Sequence, residues 1–415
     1  MVFPYCGAAQ GIVTEKDFLK AHIGILASPA MHGRGYVLGG REIASAFLQR
    51  KFSEFKLQPV QKDSTYIQPY VFTVNTFPGK MMVKVNDKEL VPGKDYIIDA
   101  ASPSYSRRKM KVQRIDLATM DSATWQKAVS GIEDKYVYVL DHVDSFCKMA
   151  HVRKRNFTAT LPAGCYIISE QAKLTWTVAR EQIPATVFYV YDSVLPKRIK
   201  EITVDAQAKL EEKYRSDNVI GMVPGRIKDS FIAFTAHYDH LGMMGEETMF
   251  PGASDNASGT SMLLYLASYF AKHPQRYSIL FIAFSGEEAG LLGSDFYVSH
   301  PAVPLGRIKF LTNVDIMGDA TNGVTVVNAT EYPKEFNLLN RINDSLHYLP
   351  VIKSRGKAAN SDHYHFSEAG VPAFFIYSNG GKGYYHDVYD KAEVVTLNNI
   401  DGVVKLLINF AEAIK

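Results

Sequence analysis

The sequence predicts an α/β fold: a mostly parallel sheet covered by helices on both faces, carrying a β-rich inserted domain. Three observations carry this expectation. Beyond Asn218, apolar strands alternate with helical segments, which implies parallel strands joined by helical crossovers. Between about Tyr66 and Val204 the texture differs, with short runs that alternate or stay apolar, several of them separated by Pro, Gly, Asn and Asp. The chain's 415 residues exceed the roughly 250–300 at which a single core stops growing, so two lobes are expected.

Taken in chain order, MVFPYCGAAQ opens apolar and rich in small residues. Gly7-Ala8-Ala9 before Gln10 looks like the end of a secretory signal at its cleavage site. Residues 1–13 are expected to be a signal-peptide remnant or a disordered N-terminus, favouring export to a periplasmic or extracellular setting. Residues 14–78 show helical spacing: Phe18, Leu19, Ile23 and Leu26, then, after HGRGYVLGG, Ile43, Ala46, Phe47, Phe52 and Phe55. They form the N-terminal helical part of the main domain. Residues 79–204 are the β-rich insertion, with strands expected at KMMVKVN, KYVYVLDH, GCYIISE and ATVFYVYD. Residues 205–415 complete the α/β domain. Its strands read FIAFTAHYD, SILFIAFSG, IKFLTNVD, GVTVVNA and VPAFFIYS. Its helices read ASGTSMLLYLASYFAKH, a segment opening after Glu288, PKEFNLLNRINDSL and LNNIDGVVKLLINFAEAI. Ile279 to Phe284 is continuously apolar, as a strand buried on both faces requires.

Composition narrows the function classes. With 47% hydrophobic and 21% charged residues, the chain is not of the disordered class. A net charge of +3 is small at this length. The basic runs Arg107-Arg108-Lys109 and Arg153-Lys154-Arg155 stand alone, without repeating aromatics, and read as solvated loops rather than a nucleic-acid surface. No apolar run approaches the ~18–20 residues of a membrane span. Cys147 and Cys165 are either a disulfide or two small buried apolar residues. Without a C-x-x-C pair a thiolate zinc site is not expected, and without G-x-S-x-G a serine hydrolase is disfavoured. Oligomeric state is not fixed by the sequence.

In an open α/β sheet, ligands bind beyond the carboxyl ends of the strands. FIAFTA ends in His237-Tyr238-Asp239-His240. PGASDNASG places Asp255 just before a long helix. ILFIAFSG ends in Glu287-Glu288, KFLTNV in Asp315, and AFFIYS is followed by a glycine loop and Tyr384-Tyr385-His386-Asp387. Singly, each has a plain structural reading. Asp255 would be an N-cap, His237 a hydrogen-bonded core histidine, Asp315 a turn cap, His386 a loop residue, and the glutamates partners of a helix dipole. Together they imply one site. Carboxylates gathered at one rim repel unless cations lie between them, and histidine with carboxylate and no thiolate suits zinc or a related divalent ion.

The strings AHYDH, GASDNASG, FSGEEAGLLGS, NVDIMG and YYHDVYD resemble, in order and spacing, the signature of the M28 family of zinc metallopeptidases, over roughly residues 218–415. The resemblance implies a zinc aminopeptidase-like α/β fold with two co-catalytic zinc ions, other divalent ions being alternatives, and a peptide substrate. Residue by residue, it implies His237 and Asp315 on one ion, Glu288 and His386 on the other, and Asp255 bridging them. Glu287 would be general base and acid, and Asp239 would orient the imidazole of His237. Tyr385 resembles a tyrosine that steadies the oxyanion, with packing as the alternative job. His363, in Ser361-Asp362-His363, belongs to the outer shell, with a substrate-wall role as alternative. The family also implies a cis peptide at Asp255–Asn256. The insertion more loosely resembles a protease-associated domain that covers or shapes the cleft.

The implied activity is exopeptidase hydrolysis by metal-activated water, most simply of an aminopeptidase. A carboxypeptidase of the same family is one alternative. A glutaminyl cyclase on a related fold is another, and Asn256-Ala257-Ser258-Gly259 and Gly290-Leu291-Leu292-Gly293-Ser294 favour the peptidase over it. A binding protein on a dead peptidase fold should lack ligands, and none is missing.

Overall fold

Every residue of the strand Tyr277–Phe284 is buried, and the main sheet is built around it. The computed structural model describes residues 14–61 and 63–415, so the expected signal remnant lies outside the described residues. Across the nine-stranded sheet the order is Gln58–Pro59, Lys209–Val223, Tyr277–Phe284, Ile227–His237, Ile308–Val314, Ala373–Ser378, Val324–Val327 and Ile352–Ser354. Ile67–Thr76 also pairs with Lys209–Val223. The four central strands, from Tyr277–Phe284 to Ala373–Ser378, run parallel, and the strands flanking them are antiparallel. The parallel four are the ones that matter for the site, because they bring four carboxyl ends to one rim.

Alternating side chains of the central strand serve two cores. Ile279, Phe281 and Ala283 face helices Glu15–Leu26, Gly40–Glu54, Gly259–Lys272 and Ile400–Ala413 through Leu19, Phe52, Leu263, Phe270 and Val403. Leu280, Ile282 and Phe284 face Leu292–Ser299 and His363–Glu368 through Tyr297 and Phe366. Helices therefore cover both faces, as the sequence predicts. A truncation such as Phe281→Ala would cost about 3–5 kcal/mol at such a site. Among the described residues no helix is long and apolar enough to cross a membrane.

The chain leaves this sheet after Thr76 and re-enters it at Lys209, two residues that face each other across an antiparallel ladder. The excursion forms a second, eight-stranded sheet from Met81–Val85 to Ile202–Ala206. Four of its strands, Tyr105–Asp116, Tyr136–Asp141, Gly164–Glu170 and Ala185–Tyr191, are parallel neighbours. The first two crossovers between them carry helices, Ser122–Val129 and then Val143–Met149 with Lys154–Ala159. The third, residues 171–184, carries none and has no regular structure beyond an isolated bridge at Ala179.

Two strands differ from the sequence reading. Arg107, Arg108 and Lys109 lie on the strand Tyr105–Asp116 rather than in a loop, and most of that strand is solvent-exposed. Lys209–Val223 escapes periodicity for a similar reason: its first half is polar and only Ser216 to Gly221 is continuously buried. A strand with one solvated face tolerates charge freely. Cys147 and Cys165 are buried free thiols, not a disulfide.

Candidate metal centre

His237 is the last residue of Ile227–His237, and Asp315 follows the last residue of Ile308–Val314. Glu287 and Glu288 follow Tyr277–Phe284 after Gly286, whose φ of 68° turns the chain where a side chain would be strained. The helix expected after Glu288 starts at Leu292. Asp255 lies in the turn Ala253–Ser258 that opens Gly259–Lys272, and the Asp255–Asn256 peptide is cis. His386 lies in the loop after Ala373–Ser378.

These side chains converge as two triads sharing one carboxylate. His237 Nε2 is 3.3 Å from Asp255 Oδ1 and 3.3 Å from Asp315 Oδ1. His386 Nε2 is 3.2 Å from Asp255 Oδ2 and 3.0 Å from Glu288 Oε2. A tetrahedral ion with bonds of about 2.0–2.1 Å has ligand–ligand edges of about 3.3 Å, so the histidine–carboxylate separations in each triad are close to such edges. Glu287 joins His237 and Asp315 within 4.8 Å. His237, Asp255 and Glu288 also lie within 4.8 Å of one another, but the shorter separation pairs Glu288 with His386. Asp315 Oδ1 is buried without a hydrogen-bond partner, an acceptor suited to a cation.

Electrostatics point the same way. Burial, reinforced by Glu288, Asp362 and Asp315 and opposed by His237, holds Glu287 well above the usual carboxylate range. Burial also pushes Asp255 and Glu288 up, yet hydrogen bonds from His237 and His386 hold Asp255 well below its usual range. Against the same burial, His386 and His240 hold Glu288 at about 2. Burial lowers the two imidazoles, but the carboxylates outweigh it: His237 is raised well above its ordinary value and His386 to about 11. A field that favours protons on both imidazoles also attracts a divalent cation, which would displace them. Two imidazoles, three carboxylates and no thiolate form a donor set that fits zinc.

The outer contacts sort the remaining candidates. His237 Nδ1 hydrogen-bonds the backbone carbonyl of Asp239 at 3.2 Å, while the Asp239 carboxylate is 3.8 Å away. That carboxylate instead accepts from the N–H groups of Glu287 and Glu288 and, at 2.6 Å, from the Tyr36 hydroxyl. Tyr385 stacks on His386, ring centroids 3.9 Å apart, with 45% of its surface exposed. The His363 ring makes no hydrogen bond to any of these residues. It is fully buried beside Phe375, neither ring nitrogen hydrogen-bonded, and burial lowers its pKa to about 4. Within the string Ser361-Asp362-His363 expected in the outer shell, the hydrogen bond to Asp315 comes from Ser361, whose hydroxyl donates to it at 2.9 Å and accepts from Asn313. Residues 361 and 363 lie at the start of a short helix, where two steps turn a side chain to another face.

Sequence reasoning missed four residues. Arg34, fully buried, donates to the carbonyls of Tyr238, Leu26, Pro251 and Gly252 at 2.8–2.9 Å and reaches that of Asp255 at 3.4 Å. Asp390 accepts the N–H groups of Ser254 and Asp255 from the opposite side, so the turn bearing Asp255 is held through both kinds of backbone group. Asn256 ties that turn to Asp315 by donating to the carbonyl of Val314 and accepting from the N–H of Ile316. His240 Nδ1 lies 2.7 Å from Glu288 Oε1. The legible signal was HGRGYVLGG: a Cβ at Gly35 would fall 2.3 Å from the Cα of Gly242, so the glycine lets backbone pack on backbone and carries Arg34 and Tyr36 to the site.

Beside the triads, Asp255 and Tyr385 border a cavity of about 260 Å³ whose apolar lining includes Ile316, Tyr384, Val394 and Val395.

Comparisons with known proteins bear on this geometry. Residues 218–411 match the model of Peptidase family M28. Aminopeptidase YwaD of Bacillus subtilis (strain 168) is 31% identical over 209 residues, 48% of this chain and 44% of that protein. A probable leucine aminopeptidase of Arthroderma otae is 26% identical over 176 residues, 41% of this chain and 48% of that protein. The chain thus spans less than half the length of these two relatives. The crystal structure of BSAP, a zinc aminopeptidase from Bacillus subtilis, superposes with a TM-score of 0.70 at 19% identity, covering 96% of this chain and 95% of that one. A peptidase M28 precursor from Shewanella amazonensis SB2B gives 0.65 at 16% identity, covering 97% of both chains. At such identities the two structures show a shared fold.

Proposed function

The segment 218–411 of this chain belongs to peptidase family M28, and from that premise we propose that the protein is a dinuclear zinc aminopeptidase. The observation that carries the proposal is Asp255, whose two carboxylate oxygens each face a different histidine, each histidine having a further carboxylate beside it. His237, Asp255 and Asp315 would hold one ion, and His386, Asp255 and Glu288 the other. When bound, such a pair supplies Lewis acidity, polarising a carbonyl and lowering the pKa of water toward about 7.

The chain's own residues would do the rest. Glu287, its N–H held by Asp239, takes a proton from the attacking water and returns it to the leaving amine, work that burial suits it for by raising its proton affinity. Tyr385 presents a hydroxyl at the open rim, where it would donate to the developing oxyanion. The cavity beside Asp255 would receive the side chain next to the scissile bond, and its lining favours an apolar one. The relatives named as aminopeptidases support the aminopeptidase reading over a carboxypeptidase.

The test measures zinc per chain and hydrolysis of peptides with free and N-acetylated amino ends, with a glutaminyl peptide included. Two ions, cleavage of free-amine peptides alone, and a loss of about 10²–10⁴-fold in Glu287→Gln at unchanged zinc content are expected. Cyclisation of the glutaminyl peptide without hydrolysis, or full activity in the variant, would overturn the proposal.

A further inference from the structure

We propose that the inserted lobe completes the metal centre, with residues 173–176 acting as a strap that positions His386; the inference rests on reading His386 as a zinc ligand. The strap belongs to the one parallel crossover of the second sheet that carries no helix. Leu174 and Trp176 pack in the core of their own sheet, and the same stretch reaches the loop that bears His386.

The contact is reciprocal. His386 Nδ1 is 2.9 Å from the carbonyl of Trp176, and the N–H of Trp176 donates to the carbonyl of His386, also at 2.9 Å. A carbonyl can only accept, so Nδ1 carries the proton and Nε2 keeps its lone pair for the centre. His237 is held by a carbonyl of its own strand end, whereas His386 depends on a partner 210 residues away.

Lys173 fastens the same loop. Its ammonium has three donors and three acceptors in reach: Asp387 Oδ2 at 2.5 Å and the carbonyls of Gly383 and Tyr385 at 3.1 Å each. Those acceptors lie on both sides of His386. The strap is anchored to its own lobe by the Trp176 indole, which donates to the carbonyl of Ile98 at 2.9 Å, while the same ring stacks on Phe250 of the main domain at 4.8 Å. The chain from the inserted lobe's core to the ligand is thus unbroken: Ile98, Trp176, His386.

The prediction concerns one ion of the two. Loss of an outer partner weakens metal binding by about 10–100-fold. Zinc per chain, and the rate of zinc transfer to a chromophoric chelator, are to be measured on the full chain for the parent, Lys173→Met, Lys173→Arg and Trp176→Phe. Cobalt-loaded samples add the visible spectrum of each site. One ion in Lys173→Met should be held about tenfold or more weakly than in the parent, with one cobalt band altered, and the other ion unchanged. Lys173→Arg should restore most of the loss, and Trp176→Phe, which removes the indole donor, should act in the same direction. Lys173 is 43% exposed, so melting followed by circular dichroism should match the parent. A parent with two ions and a Lys173→Met variant that keeps both at parental affinity would overturn the strap alone. Equal weakening of both ions would overturn its selectivity for His386. A parent that binds no zinc would overturn the reading of the centre, and the strap with it.

Discussion

Exchanging His363 for leucine separates a stability role from a catalytic one. This histidine is fully buried, and its imidazole has neither nitrogen hydrogen-bonded. Burial lowers its pKa from 6.5 to about 4, against the weaker pull of the Ser361 and Ala358 carbonyls. Above pH 6.5 the ring is neutral in both the folded and unfolded chain and contributes nothing to pH dependence. As the pH falls below 6.5 the unfolded chain takes up the proton first, so folding stability drops, and it levels off only below about 4. At about 1.4 kcal/mol per pH unit the full loss is about 3 kcal/mol, of which about 2 kcal/mol has accrued by pH 5. Urea unfolding at pH 7 and pH 5, followed by circular dichroism, measures it in parent and variant. His363→Leu, close in volume and wholly apolar, should lose about 2 kcal/mol less than the parent over that interval. Its zinc content at pH 7 should be unchanged. A variant as acid-sensitive as the parent would refute the buried neutral imidazole, and a variant that loses zinc would return His363 to the metal's outer shell.

Three further outcomes are expected. Arg34→Met leaves several buried carbonyls without donors and loosens the turn of Asp255, so it should cost at least about 3 kcal/mol in stability and lower the zinc content, as read by urea unfolding and metal analysis. Tyr385→Phe should lower kcat by up to about 10²–10³-fold at unchanged KM and zinc if its hydroxyl serves the oxyanion, and a variant with parental kcat would leave the ring only its packing on His386. Neither Cys147 nor Cys165 should react with a thiol reagent in the native protein, and both should react in denaturant, because burial holds the two thiols protonated.

What was legible in the sequence follows from chemistry that leaves a local trace. The strand Tyr277–Phe284 needs apolar residues on both faces, and its composition says so. Ligands such as Glu288 and Asp315 sit just beyond strands whose ends can be read from the chain. Beyond the glycine string around it, the work of Arg34 leaves no such trace, because its partners are the backbone carbonyls of Leu26, Tyr238, Pro251 and Gly252, and a carbonyl has no letter in a sequence. Asp239 shows the same limit, since its type suggested a carboxylate contact to His237 but its main chain makes the hydrogen bond. The strap was invisible for another reason: Trp176 and Lys173 look like ordinary residues of a β module, and their work depends on where a crossover without a helix happens to lead.

Thr76 and Lys209 stand opposite each other in one antiparallel ladder, with the Thr76 hydroxyl donating to the Lys209 carbonyl at 2.9 Å. Geometrically they are the two legs of a hairpin whose turn has grown into a whole lobe. A two-residue turn suffices to join such legs, so the lobe is detachable in a way that few domains of its size are. Excision would uncover Leu241, Met244 and Phe250, which pack in the lobe's core, and one histidine at the rim would lose the carbonyl that fixes its proton. A module whose chain enters and leaves through a single pair of strands is thus tied a second time to its host, through Lys173 and Trp176 at the rim.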